Sequence, residues 1–281
     1  MGTWTKPLRR SLDRMVDAEL RERFARLNVD VNAYGYDRWG ASCDDQLRTL
    51  ALLRVLHRRY FRVEAHGLEH VPDDGRVLLV GNHSGQLAFD GMLVGSSVFF
   101  DKDPPRMVRA MIERFFVKTP VVGSLMTRMG QLTGIQQNAK RVLEEEEGAV
   151  LVFPEGARGG GRVWADRYRV LGFSQGFLRL AKRTKTPVVP FAFIGGEEML
   201  PSLSRGEPLA KALGLPYLPF IPWLVPLPAP VKVHILFGAP LHFDGTGDEE
   251  DEVILPEVRQ VEHAVTELIE RGLKLRKGLF A

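Results

Sequence analysis

Apolar residues recur at helical spacing near the start of the chain. Leu8, Leu12, Met15, Val16, Leu20, Phe24 and Leu27 form one stripe, while Arg9, Arg10, Arg14, Arg21, Arg23 and Arg26 take the remaining faces. The spacing predicts a basic amphipathic helix over 8–27, ended by Asn32-Ala33-Tyr34-Gly35-Tyr36-Asp37. Such a helix either packs on a domain or lies on an anionic membrane surface. A second helix is expected at 44–59, a strand at 61–65, and a turn at Val71-Pro72-Asp73-Asp74-Gly75. Val77-Leu78-Leu79-Val80, entered from Arg76, and 149–153 are apolar runs of strand length, the pattern of strands buried on both faces, and 187–194 and 231–237 are two more strand candidates. Helical patterns fall at 106–116, 121–129, 138–147 and, closing the chain, 257–275. This alternation predicts an α/β fold, a mostly parallel central sheet flanked by helices, preceded by an N-terminal amphipathic helical region. The expected division is a helical, membrane-suited region at 1–58 and the α/β domain at 59–281.

Composition narrows this picture. A chain of 281 residues with 44% hydrophobic and 26% charged residues is ordinary for a globular protein, and a net charge of +3 gives no argument for a nucleic-acid partner. Cys43 is the sole cysteine, which excludes an intrachain disulfide or a cysteine zinc cluster and fits a reducing, cytoplasmic setting. Lys6 stands where a myristoylation signal wants Ser or Thr, and no secretory pattern follows. The longest apolar candidate, 215–230, is broken by Pro216, Pro219, Pro222, Pro226, Pro228 and Pro230, so no spanning helix is expected there. It reads as an extended loop that either covers the core or dips into a bilayer interface through Tyr217, Phe220 and Trp223.

Two polar turns carry the candidate chemistry. Gly81-Asn82-His83-Ser84-Gly85-Gln86-Leu87-Ala88-Phe89-Asp90-Gly91 follows the apolar run 76–80, and Phe153-Pro154-Glu155-Gly156-Ala157-Arg158-Gly159-Gly160-Gly161-Arg162 follows the run 149–153. In open parallel sheets, ligands sit outside the carboxyl ends of the strands, so both turns are placed to face one cleft. A histidine with a carboxylate on its second nitrogen is a general base. Arg158 offers a planar fork for a phosphate or carboxylate, with Glu155 to orient it or a substrate hydroxyl.

Asn82-His83-Ser84 with Asp90, followed in order by Phe153-Pro154-Glu155-Gly156-Ala157-Arg158 and Val188-Val189-Pro190-Phe191-Ala192-Phe193-Ile194-Gly195, resembles the glycerolipid acyltransferase family that includes lysophosphatidate acyltransferases. The resemblance spans roughly 60–240. It implies O-acyl transfer from an acyl-CoA or acyl-carrier-protein thioester to a glycerolipid hydroxyl, of lysophosphatidate or a related lysophospholipid, within phospholipid biosynthesis. His83 would be the general base and Asp90 its orienter. Ser84, Gly85, Phe153, Pro154, Glu155, Gly156 and Arg158 would line the substrate site, with backbone N–H groups near Ser84 and Gly85 receiving the oxyanion. No cofactor and no metal are implied; the partners are the thioester donor, the lipid acceptor and the cytoplasmic face of a membrane.

Two features depart from the family pattern. Six residues separate His83 from Asp90 where four are usual, and in one continuous helix seven steps would set the two backbones roughly 10.5 Å apart along the axis. A non-helical turn at Gly85 must shorten that path, with a water bridge as the alternative. Gly130-Gln131-Leu132-Thr133-Gly134-Ile135-Gln136-Gln137-Asn138 holds neutral amides where relatives that acylate glycerol phosphates carry an arginine, leaving Arg158, Arg162 or Lys140 as substitutes, or an acceptor with another headgroup or none. Two rival readings stand beside this one. A lipid-binding scaffold of the same fold would dispense with catalysis; a serine esterase would use Gly172-Phe173-Ser174-Gln175-Gly176 as its nucleophile elbow, with Asp244 and His263 downstream. His57, His66, His70, His234 and His242 read as surface or internally satisfied residues.

Overall fold

The run Val77–Gly81 is buried along its whole length, as expected of a strand with packing on both faces. The computed structural model describes residues 5–27, 29–84, 89–112, 122–204, 206, 228–278 and 280. Within them a seven-stranded sheet is formed by β1 (Glu64–His66), β2 (Val77–Gly81), β3 (Val108–Ile112), β4 (Leu132–Thr133), β5 (Ala149–Val152), β6 (Val188–Ile194) and β7 (His234–Phe237). Its spatial order is β1-β7-β6-β2-β5-β3-β4; every neighbouring pair is parallel except β6 with β7. The reversal turns the last two strands, β7 and β1, against the direction of β2.

Alternation along the strands divides the core in two. Leu78 and Val80 point to one face, where α6 (Gln136–Glu145), α7 (Gly176–Thr184) and α8 (Asp251–Leu275) deliver Leu143, Leu178, Val261 and Val265. Val77 and Leu79 point to the other, beneath Leu93, Val94 and Val98 of α4 (Phe89–Phe100). α8 begins earlier than the pattern predicts and contains Pro256. The expected strand at 61–65 is displaced and short, because α3 (Cys43–Val55) continues through a π-helical turn to Tyr60.

Two expectations are corrected. The stripe over 8–27 forms two helices, α1 (Lys6–Met15) and α2 (Ala18–Ala25), because the Asp17 carboxylate caps the second by accepting the Leu20 N–H at 3.0 Å. Leu20 and Phe24 pack with Leu50, Leu53, Phe99 and Phe100, while Arg23 donates to the Phe99 carbonyl and Arg26 pairs with Asp103. The helix expected at 106–116 is instead strand β3 over its described part. Its Arg109 is buried at 7% exposure through a 2.6 Å pair with Asp37. β4 is flanked in the chain by α5 (Val122–Arg128) before it and α6 after it. Most of the proline-broken loop, 215–227, lies outside the described residues. No helix among the described residues is long and apolar enough to cross a membrane.

Candidate active site

Three parallel strands, β5, β2 and β6, end side by side, and each runs into a polar turn. Asn82 fixes the first turn by extending the ladder: its Nδ2 donates to the Phe193 carbonyl at 3.0 Å and its Oδ1 accepts the Phe193 N–H at 2.8 Å. Gly81 is required here, since a Cβ would meet Phe191 at 2.5 Å.

His83 follows. Its Nδ1 lies 2.6 Å from Asp90 Oδ2, so the longer spacing still allows direct contact, with residues 82–84 non-helical. Gly85 lies outside the described residues. Asp90 is fully buried at the start of α4, where the helix dipole favours a carboxylate, and it also accepts the N–H of Ser84 at 2.8 Å and of Gly91 at 2.7 Å. These two backbone donors hold the carboxylate against the imidazole. Nε2 of His83 has no hydrogen-bond partner among the described residues, and the side chain is 15% exposed. Its ring stacks on Phe153, with centroids 4.4 Å apart and planes 16° apart. Burial pushes the imidazole's pKa down, but the Asp90 carboxylate outweighs it and holds the value above the ordinary one.

The second turn is tied to the first through Glu155. Its buried carboxylate accepts the His83 backbone N–H at 2.9 Å, the Leu171 N–H at 2.7 Å and Arg162 Nη2 at 2.5 Å. Arg162 continues to Glu197 at 3.0 Å, so a buried acid–base–acid chain links the turns after β2, β5 and β6. Burial pushes the Glu197 carboxyl up to about 7. Gly159 and Gly196 permit this packing: a Cβ on the first would lie 2.8 Å from Glu155 and His83, and on the second 2.2 Å from Ser84 Oγ.

This geometry redistributes several expected roles. Glu155 orients Arg162 and the His83 turn, not Arg158, which is exposed and donates to the Gly172 carbonyl at 3.0 Å. Arg162 is 2% exposed between two carboxylates, unsuited to gripping a substrate phosphate; Lys140 is exposed on α6 beside Glu144. Ser84 is fully buried and its N–H is committed to Asp90, so it offers no oxyanion donor in this arrangement. Pro154 is buried, Phe153 is half-buried against the imidazole, and Gly156 turns the chain at φ +58°. Ser174 sits on a loop with no strand leading into it. Asp244 is exposed and His263 is 75% exposed beside Glu267, so no esterase triad assembles. Glu197 and Gly196 were missed by sequence reasoning. The signal for them is that a third buried strand, 188–194, runs into glycines like the other two.

A family model described as Acyltransferase matches residues 62–194. An uncharacterised protein of Mycobacterium tuberculosis is 35% identical over 240 residues, which cover 82% of this chain and 66% of that protein. The human protein named DGAT1/2-independent enzyme synthesizing storage lipids is 26% identical, covering 79% of this chain and 65% of its own length. The chain thus spans about two thirds of the length of these curated relatives. Among solved structures, the 1-acyl-sn-glycerophosphate (LPA) acyltransferase PlsC from Thermotoga maritima shares the fold, with a TM-score of 0.54 and 16% identity over 96% of both chains. The family model covers the stretch that carries both motif turns, so over the candidate site this chain is similar to the acyltransferase family it describes.

Proposed function

We propose that the protein transfers a fatty acyl group from an acyl-CoA or acyl-carrier-protein thioester to a hydroxyl of a glycerolipid, with His83 as general base. The observation that carries this reading is the 2.6 Å contact of His83 Nδ1 with Asp90, which leaves Nε2 facing away from the orienting carboxylate. Neutral Nε2 accepts the hydroxyl proton as the acceptor oxygen attacks the thioester carbonyl. The tetrahedral oxyanion then collapses, the C–S bond breaks, and the leaving thiolate takes the proton from the imidazolium. Asp90 holds the tautomer and supports the transient positive charge. The products are an ester and a free thiol.

The acceptor class is lysophosphatidate or a related lysophospholipid, with Arg158, exposed near the site, as the headgroup contact. The name of the human relative points to a neutral acceptor as the second candidate. Thiol release from acyl-CoA with lysophosphatidate, other lysophospholipids, glycerol phosphate and diacylglycerol separates these. Arg158→Met should raise KM for phosphate-bearing acceptors and leave diacylglycerol unaffected. Absence of turnover with every donor and acceptor would favour a lipid-binding scaffold. The associated location, peripheral on the cytoplasmic face of a membrane, is supported by Arg10, Arg14 and Arg21, which stay exposed on α1 and α2.

A further inference from the structure

Three of the six histidines outside the active site have a partner: His57 lies between Ser96 (3.1 Å) and Asp101 (2.8 Å), His70 meets the Phe237 carbonyl at 3.0 Å, and His263 faces Glu267. His66 and His234 differ. His234 is 3% exposed, yet neither ring nitrogen has a hydrogen-bond partner among the described residues, and the buried Nε2 of His66 has none either. Buried polar atoms without partners are rare and call for an explanation. The sheet brings these two together: His234 opens β7 directly opposite Glu64 of β1, and His66, two residues on, shares the face of Glu64. The two imidazoles lie 5.8 Å apart with planes 18° apart.

We propose that Glu64, His66 and His234 bind a divalent transition-metal ion of the zinc class. One donor atom from each residue lies within 4.8 Å of the other two. Ligands about 2.0–2.1 Å from a tetrahedral ion stand about 3.3 Å from one another. Glu64 Oε2 and His234 Nδ1 are already 3.4 Å apart without forming a hydrogen bond. Two imidazoles and a carboxylate suit zinc better than magnesium or calcium. Glu64 is 48% exposed, so water can reach the fourth position. Lys232 Nζ holds the other carboxylate oxygen at 2.8 Å and opposes a cation, which moderates the affinity. The ion would staple β1, a three-residue strand whose partner is β7, onto the sheet edge.

Isothermal titration of the chelator-stripped full chain with Zn2+, and the visible spectrum with Co2+, test this. In a His83→Ala background, which removes the active-site histidine–carboxylate pair, one equivalent should bind, with tetrahedral Co2+ absorption. Zn2+ at a hundredfold its Kd should raise Tm by about 5 °C. His66→Gln, at a half-buried edge position that leaves the fold intact, should weaken binding at least tenfold, and Lys232→Met should tighten it. No binding, or binding unchanged in His66→Gln and Glu64→Gln, overturns the proposal.

Discussion

The imidazole of His83 is pulled in two directions, and the balance sets how the protein should respond to pH. Burial disfavours imidazolium, Asp90 favours it, and Asp90 prevails, so the pKa stands above the ordinary value. A base with a raised pKa is neutral only above that value, so the acidic limb of kcat/KM should lie above about pH 6.5. The stability contribution has the opposite sense: it is fully present below the unfolded pKa and lost as pH rises through the folded one. Asp90→Asn removes the favouring charge and leaves burial, so the limb should move to lower pH while kcat falls by about 10²–10⁴-fold. A pH–rate profile with the limb unmoved in Asp90→Asn would contradict the assigned pairing.

At the scale of elements, the three turns after β2, β5 and β6 act as one unit because Glu155 and Arg162 join them. Arg162→Met should leave two buried carboxylates uncompensated and cost about 3–5 kcal/mol in denaturant unfolding. Arg158→Met, on the surface, should change stability by less than about 0.5 kcal/mol; the reverse ranking would refute the role given to Arg162. Gly196→Ala drives a Cβ into Ser84 and should cost about 1–3 kcal/mol, lowering activity because the His83 turn moves with it. What was legible in the sequence follows from the same physics. β2, β5 and β6 are buried on both faces and so appear as continuous apolar runs, and the His83 and Glu155 turns lie directly behind two of them. β3 was read as a helix because Arg109 interrupts its run, and Arg109 is tolerated there only because Asp37, distant in sequence, pairs with it. The exchange of Arg158 for Arg162 as the partner of Glu155 was equally hidden, since both arginines follow the same turn and only packing against Glu197 separates them.

Over the whole molecule, the N-terminal helices serve the fold as well as any membrane. Arg9, Arg23 and Arg26 are engaged with Asp44, backbone carbonyls and Asp103, which leaves Arg10, Arg14 and Arg21 exposed for a surface. Flotation on anionic vesicles at low salt should therefore succeed, and replacing these three arginines with glutamine should weaken it on the order of 100-fold, at about 1 kcal/mol per arginine. Equal retention of the triple variant would assign membrane contact to another surface. The chemistry lies at the carboxyl end of the central strands, with His83 at the end of β2 and its orienting carboxylate at the start of α4. The most direct test is the rate of thiol release from acyl-CoA with the preferred acceptor, measured for the native chain and for His83→Ala of unchanged circular dichroism. The account predicts a kcat at least about 10²-fold lower in the variant with acceptor binding retained; turnover undiminished in His83→Ala would contradict it.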